Sequence, residues 1–347
     1  MQRILIVRFG SIGNTLVSIP AVRAIKKQYP DSSITMIVSP GIDDLVNGIP
    51  WIDEVMVYDM YGAHRSLKGY VGFIRELRKR RFAVAILFKR FLRSELIGML
   101  SGAKRRIGFQ TEGRSRFLTD RVEYTEGENI VELTMKLVGP LGIFSNDLSL
   151  ELGTDECTTY PIMSAVRGTG PGDDRRYAVI HPGGKTVGGQ GMTSEGYASV
   201  IDRLAQVHHV RSVVIGDAAE AGTIQRILNT VGPGAASAAV GLPLRQVSCL
   251  IRRASLFIGN DSGPCHIADA VGTPGVIVYP PMRGLEEHIR KWKPAGDRYV
   301  AITAPRHCDV CPDYPCSDDA RTACARAIDS DLVLRHAVQI LNAPTEG

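Results

Sequence analysis

The residues best suited to chemistry stand in the run Phe257-Ile258-Gly259-Asn260-Asp261-Ser262-Gly263-Pro264-Cys265-His266. A buried strand, Leu256–Ile258, runs out into small and polar residues, and Pro264 is a favoured first residue of a helix. Gly263 lets backbone approach a ligand closely. The free N–H groups of the helix start, with the Ser262 hydroxyl, suit a phosphate. The helix dipole adds only about 0.3–1 kcal/mol, so hydrogen bonds must do most of the holding. An ordinary capped turn uses the same residue types, so the pattern needs support from the rest of the chain. A second glycine turn, Gly10-Ser11-Ile12-Gly13, follows the apolar run Ile4–Val7. It has two glycines spaced G-x-x-G, and Ser39-Pro40 stands where a dinucleotide fold would place an acidic residue. It also lacks the Lys-Ser/Thr pair of a P-loop. That argues against an NAD enzyme and leaves a turn suited to a sugar.

Cys308, Cys311, Cys316 and Cys324 follow the spacing C-x2-C-x4-C-x7-C, with His307 adjacent. Four thiols this close suit a tetrahedral zinc site with Zn–S of about 2.3 Å. Iron on the same thiolates is the other option, since ligand softness does not separate the two. Disulfides and plain buried thiols are the alternatives. A metal there would fold a loop and do no chemistry. Cys157, Cys249 and Cys265 read as small apolar core residues. His181, at a strand end, and His266, in the first turn of a helix, each suit either a nucleotide contact or a structural hydrogen bond.

The elements that must position these residues alternate. Ile4–Val7, Ile34–Val38, Val55–Tyr58 and Ala83–Phe88 read as strands. Asn14 is a good N-cap for a helix carrying Leu16, Ile19, Val22 and Ile25 on one face, with Pro20 tolerated as a modest kink. Tyr70–Arg80 reads as an amphipathic helix. Past a Gly- and Pro-rich break the alternation restarts. Strands are expected at Tyr177–Ile180, Ser212–Ile215, Leu256–Ile258 and Val276–Tyr279. Helices are expected at Ser194–Val207, from Glu220, at Leu244–Arg253, Pro264–Val271 and Leu332–Leu341. This is an α/β chain of two doubly wound parallel sheets with right-handed crossovers. The expected division is a first domain over 1–165, a linker over 166–176, a second domain over 177–330, and a terminal helix and tail over 331–347. Two open sheets in tandem predict a cleft lined by the carboxyl ends of their strands.

The 347 residues suit two domains. With 44% hydrophobic and 22% charged residues, the composition is that of a folded globular protein. A net charge of +5 fits anionic small molecules or peripheral contact with the inner membrane surface, and does not call for nucleic acid. The basic clusters Arg75–Arg81 and Lys104–Arg106 read as solvated faces. No apolar run reaches the ~18–20 residues of a membrane span, and the N-terminus lacks a signal-peptide pattern. A cytoplasmic chain with seven reduced cysteines is expected.

The run from Gly259 to Pro274, with Asp261-Ser262-Gly263-Pro264 and Gly272-Thr273-Pro274, resembles the donor motif of family 9 glycosyltransferases, the lipopolysaccharide heptosyltransferases and their relatives. The resemblance extends to Gly10-Ser11-Ile12-Gly13, Pro20-Ala21, Arg93-Ser94, Arg106-Ile107-Gly108-Phe109, His181-Pro182-Gly183, and Gly216 with Glu220. It implies the GT-B architecture of two Rossmann-like domains, with acceptor on the first and nucleotide sugar on the second. It also implies inverting transfer, an ADP-heptose type of donor, and no catalytic metal. The acceptor would be a glycan, lipid-linked or protein group. Donor contacts fall to Asp261, Ser262, Gly263, Pro264, His266, His181, Gly183, Lys185 and Gly216. Acceptor contacts fall to Gly10, Ser11, Gly13, Arg93 and Ser94. Relatives also carry cysteine clusters near the position of Cys308–Cys324.

Two departures bear on activity. The family usually has Asp, taken as the general base, where this chain has Asn14. An amide cannot accept a proton from a sugar hydroxyl near neutral pH. Gln190 and Met192 stand near the place of a family Lys that supports the donor phosphates, and Lys185 is the nearby substitute. The alternative to an active transferase is therefore a catalytically weakened nucleotide-sugar-binding protein on the same fold.

Overall fold

The computed structural model describes residues 2–111, 115–153, 176–184, 191–282, 284–294, 298–305 and 323–343. Two compact units divide the chain, Met1–Thr154 and Asp155–Gly347. The division falls ahead of the linker expected at 166–176, of which only Arg176 lies among the described residues.

In the first unit the strands are β1 (Arg3–Val7), β2 (Ser33–Val38), β3 (Glu54–Val57), β4 (Val84–Leu87), β5 (Arg105–Phe109) and β6 (Asp120–Val122). They form one sheet in the order β3-β2-β1-β4-β5-β6, parallel at every pairing. Ile4, Leu5, Ile6 and Val7 are wholly buried, as befits a central strand covered on both faces. The helices are α1 (Ile12–Leu16), α2 (Ile19–Gln28), α3 (Asp43–Val46), α4 (Leu67–Lys79), α5 (Leu92–Leu100) and α6 (Ile130–Lys136).

The first crossover departs from the expected single kinked helix. Ser11, and not Asn14, occupies the N-cap of α1. Ser18 opens α2, with Pro20 in its first turn. Pro20 has no N–H to give to a continuous helix, so the chain restarts there, where a missing donor costs nothing. Thr134 of α6 donates to the freed carbonyl of Val17 at 2.8 Å.

The second unit repeats the plan. Its strands are β7 (Tyr177–His181), β8 (Arg211–Gly216), β9 (Ala236–Val240), β10 (Leu256–Asn260), β11 (Gly275–Tyr279) and β12 (Tyr299–Thr303). They run parallel in the order β12-β11-β10-β7-β8-β9. The helices are α7 (Ser194–His208), α8 (Ala221–Thr230), α9 (Leu244–Arg252), α10 (Gly263–Val271), α11 (Leu285–Trp292) and α12 (Ser330–Asn342). The terminal helix α12 is part of this unit. Its Val333, Leu334 and Ala337 are buried in the same core as Ile258 and Val278, and it packs against α7.

Each sheet reverses its winding beside its first strand, between β1 and β4 and between β7 and β10. In open α/β sheets, ligands bind outside the carboxyl ends of the strands at such a switch point. Both glycine turns singled out from sequence lie at one.

Candidate functional site

At the second switch point His181 ends β7 and Asn260 ends β10, and the register pairs Gly259 with His181. Asn260 ties the two loops together. Its amide donates to the carbonyls of Pro182 at 2.7 Å and Gly183 at 3.2 Å, and its Oδ1 accepts from the buried Tyr197 hydroxyl at 2.6 Å. Ser262 Oγ lies 3.0 Å from His181 Nδ1 and 3.0 Å from the carbonyl of Asn260. On the other side of the ring, His181 Nε2 meets Glu220 Oε2 at 3.4 Å. Burial pushes the Glu220 carboxyl up. The hydrogen bond and charge of His181, with the backbone N–H groups of Asp217 and Gly184, outweigh this and bring it down to about 2.

Gly183 and Gly216 serve this chain of side chains. A Cβ on Gly183 would lie 1.9 Å from Glu220 Oε1, and one on Gly216 2.7 Å from Glu220 Oε2. Both glycines thus admit Glu220, which meets His181, which in turn meets Ser262. Gly183→Ala should displace the Glu220 carboxylate and destabilise the chain by about 1–3 kcal/mol, read as a lowered thermal midpoint with Gly183→Ser at least as damaging. Glu220 also sets an acid response. Its folded value of about 2 lies below an unfolded value of about 4.3. The stability it contributes is therefore complete above pH ~4.3 and is lost as pH falls through ~2. Glu220→Gln should remove roughly 2 kcal/mol of acid sensitivity, so its urea midpoint should fall less than the wild type's between pH 6 and pH 2.

Ser262 is the N-cap of α10 but makes no side-chain capping bond. The donor set is narrower than the sequence suggested. Pro264 carries no N–H, and Cys265 N–H bonds the Ser262 carbonyl at 3.1 Å. The Ser262 hydroxyl donates to the Asn260 carbonyl, so the turn's open donor is the Gly263 N–H, and Ser262, Gly263 and Pro264 are all partly exposed. Asp261 is 9% exposed, with Oδ2 2.6 Å from His288 Nε2 of α11. His266, for which a nucleotide contact or a structural hydrogen bond was expected, is largely enclosed. It is 5% exposed, packs edge-on to Trp292 with ring centroids 6.2 Å apart, and burial holds its imidazole below the usual range despite Asp261. It therefore offers no positive charge to a phosphate near neutral pH. Asn260, Tyr197 and His288 were missed from sequence. Only Asn260, inside the motif, could have been found there.

At the first switch point the turn after β1 is built around Arg8, 3% exposed. Its NH1 donates to the carbonyl of Phe88 at 3.1 Å and its NH2 to Asn14 Oδ1 at 3.0 Å, while its Nε donates to the Asn14 carbonyl. All three acceptors are neutral. Burial brings the guanidinium down to about 9. Asn14 Nδ2 in turn donates to Ser11 Oγ at 2.8 Å, so Asn14 orients rather than caps. Gly10 adopts φ 145°, which L side chains rarely adopt, and its N–H donates to Ser39 Oγ at 2.8 Å. Ser11 is exposed and Gly13 buried. Lys89, from the end of β4, brings its Nζ to 2.9 Å from the point a Cβ on Gly10 would occupy. Arg93 is exposed. Ser94 is wholly buried and its hydroxyl has no partner among the described residues, so its surroundings are those of a packing residue.

Lys185, Cys308, Cys311 and Cys316 lie outside the described residues, as does Gln190. Cys324 is a free thiol. Cys249 is buried in the core as expected but is disulfide-bonded, which departs from the reduced state expected of it. Among the described residues one group could hold a metal ion: Asp261, Cys265 and His266, whose ligand atoms lie within 4.8 Å of one another. Burial pushes the Cys265 thiol up, which disfavours the thiolate a metal needs. No described helix is long and apolar enough to cross a membrane.

Two doubly wound units, each with a polar glycine turn at its switch point, define an α/β protein of the GT-B type. The model of glycosyltransferase family 9 (heptosyltransferase) matches residues 71–321. The chain belongs to that family and is a glycosyltransferase. It is 23% identical over 280 residues to the lipopolysaccharide core heptosyltransferase OpsX of Haemophilus influenzae, covering 79% of this chain and 78% of that one. Its fold matches a family 9 glycosyl transferase from Veillonella parvula with a TM-score of 0.83 at 19% identity, over 98% and 97% of the two chains. It also matches E. coli heptosyltransferase WaaC with ADP-2-deoxy-2-fluoro heptose, with a TM-score of 0.71 at 18% identity, over 88% of this chain and 94% of that one.

Proposed function

We propose that this glycosyltransferase moves a heptose from an ADP-activated donor to a lipopolysaccharide core acceptor, with inversion. The observation that carries the reading is the Glu220–His181–Ser262 chain, which fixes a hydroxyl beside the Gly263 N–H at a switch point. The Ser262 hydroxyl, turning away from the Asn260 carbonyl to which it donates in the free chain, and the Gly263 N–H donate to the donor diphosphate, and the departing nucleoside diphosphate stays on the same donors. Asp261 would repel a phosphate, so its part is to accept hydroxyl protons of the sugar. The acceptor lies over Gly10–Asn14 and the Lys89–Ser94 loop, with Arg93 at its rim. Lys185 adds a point charge for the phosphates. Work at the cytoplasmic membrane face belongs to the same proposal, as does a structural metal on the four cysteines.

The reading is tested by calorimetry and radiolabel transfer with ADP- and UDP-sugars onto deacylated lipopolysaccharide core. Transfer of label from ADP-heptose supports it, and label moving only from UDP-sugars overturns the donor assignment. Asn14 favours a second reading, a nucleotide-sugar binder with little turnover. Binding of ADP-heptose with no transfer would select it.

A further inference from the structure

The turn after β1 holds two cations and no described counter-ion. Arg8 spends its hydrogen bonds on neutral acceptors, two of them on Asn14. Lys89 arrives from the neighbouring strand and rests against Gly10, the one residue there that leaves it room. Its Nζ lies 5.4 Å from the Phe9 ring and 4.9 Å from the Phe91 ring. It forms no ion pair among the described residues, whereas the adjacent Arg90 is held over Tyr124 at 3.6 Å and meets Glu126 at 3.4 Å. Lys89 is half-buried beside a second cation.

We propose that Lys89 takes the place of the missing carboxylate as the proton acceptor of the transfer, a step that rests on the transferase reading above. The acceptor hydroxyl gives its proton to the lone pair of neutral Lys89 Nζ. Its oxygen bonds the anomeric carbon of the donor as the bond from that carbon to the phosphate oxygen breaks. The electron pair leaves with the nucleoside diphosphate, and Lys89, now an ammonium, releases its proton to water. Asn14, held by Arg8, orients the attacking hydroxyl.

The groups that set the Lys89 proton are few. Burial lowers its affinity for the proton first, and the Arg8 charge lowers it further. The faces of Phe9 and Phe91 work the other way, because rings attract a cation. Tyr124 acts on Arg8, and the charge of Arg90 is met by Glu126. Lysines displaced in this way are the ones that serve as general bases.

The experiment compares wild type, Lys89→Met and Lys89→Arg with ADP-heptose and deacylated lipopolysaccharide core, each variant first checked for an unchanged melting curve. The wild-type rate should climb with pH along one ionisation. Lys89→Met should lose that climb and about 10²–10⁴-fold in kcat, with ADP-heptose affinity unchanged by calorimetry. Lys89→Arg, which keeps the charge and cannot give up its proton, should be as slow. An arginine variant with the wild-type rate and pH profile would overturn the proposal and leave a role for charge alone. Competitive acetylation with acetic anhydride, read by mass spectrometry, needs no acceptor. Lys89 should become reactive at lower pH than Lys104, and equal midpoints would also overturn it. A wild type that binds ADP-heptose and transfers nothing would instead sink the transferase reading, with the acetylation midpoint still reporting on Lys89.

Discussion

An Asp261→Ala chain should bind ADP-heptose about a hundredfold more weakly than the wild type, roughly 3 kcal/mol, while binding ADP nearly as well. The asymmetry follows from charge. Of the groups at the end of β10, the Ser262 hydroxyl and the Gly263 N–H donate, whereas the Asp261 carboxylate only accepts. A diphosphate has nothing to give a carboxylate, and sugar hydroxyls do. Asp261 is also set for the task, since it is 9% exposed and anchored through Oδ2 by His288 at 2.6 Å. Hydrogen bonds to a charged group are worth about 1.5–3 kcal/mol each, so losing one or two accounts for the expected change. Ser262→Ala should weaken ADP and ADP-heptose alike, because its hydroxyl serves the phosphates that both carry. Titration calorimetry with the two ligands reads the contrast. Equal losses for both ligands in Asp261→Ala would mean that the carboxylate holds the turn together and does not read the sugar.

The parts of this molecule that were legible in sequence are those fixed by local pattern. Ile4–Val7 and Val276–Tyr279 declare themselves as central strands, because a parallel strand covered on both faces must be apolar throughout. Edge strands escape that rule. β6, Asp120–Val122, and β9, Ala236–Val240, are partly exposed, carry no apolar run, and could not be seen without their neighbours. The break between α1 and α2 was missed because the apolar period runs straight through it, and only the missing N–H of Pro20 marks the restart.

The site divides in the same way. Asp261, Ser262 and Gly263 stand in one short run whose composition announces a ligand turn. The partners that hold them come from remote elements: His288 from α11, Tyr197 from α7, Glu220 from the turn before α8. Nothing in the spacing ties these to the motif. The place of His266 in a first helical turn was legible, while its burial is a property of the packed core that spacing does not show. Lys89 is the strongest case. Sequence sets it only at the start of the Lys89–Ser94 loop on the acceptor side, and its meaning as a base depends on Gly10, Arg8 and two rings meeting around it.

Asn14→Asp, made alone and together with Lys89→Met, should have the other large effect. A carboxylate at position 14 would stand where Asn14 Oδ1 now accepts from Arg8 NH2 at 3.0 Å, giving the buried guanidinium the counter-charge it lacks. The present bond is already charge-assisted through its donor, and ionising the acceptor adds the attraction of a buried ion pair, which is less screened than one in water. The single variant should therefore unfold at a temperature higher by a few degrees. Arg8 would also hold the new carboxyl well below the usual range, so it would stay ionised across the working pH. The same charge would help Lys89 keep its proton. Proton acceptance should then pass to position 14, and the rise of rate with pH expected of the wild type should flatten. In the double variant, the loss of about 10²–10⁴-fold expected for Lys89→Met should be largely recovered. The two substitutions would thus be strongly non-additive, as expected for residues that share one partner. A double variant as slow as Lys89→Met would mean that position 14 does not face the attacking hydroxyl. In that case Asn14 serves this chain only as the acceptor that keeps Arg8 in place.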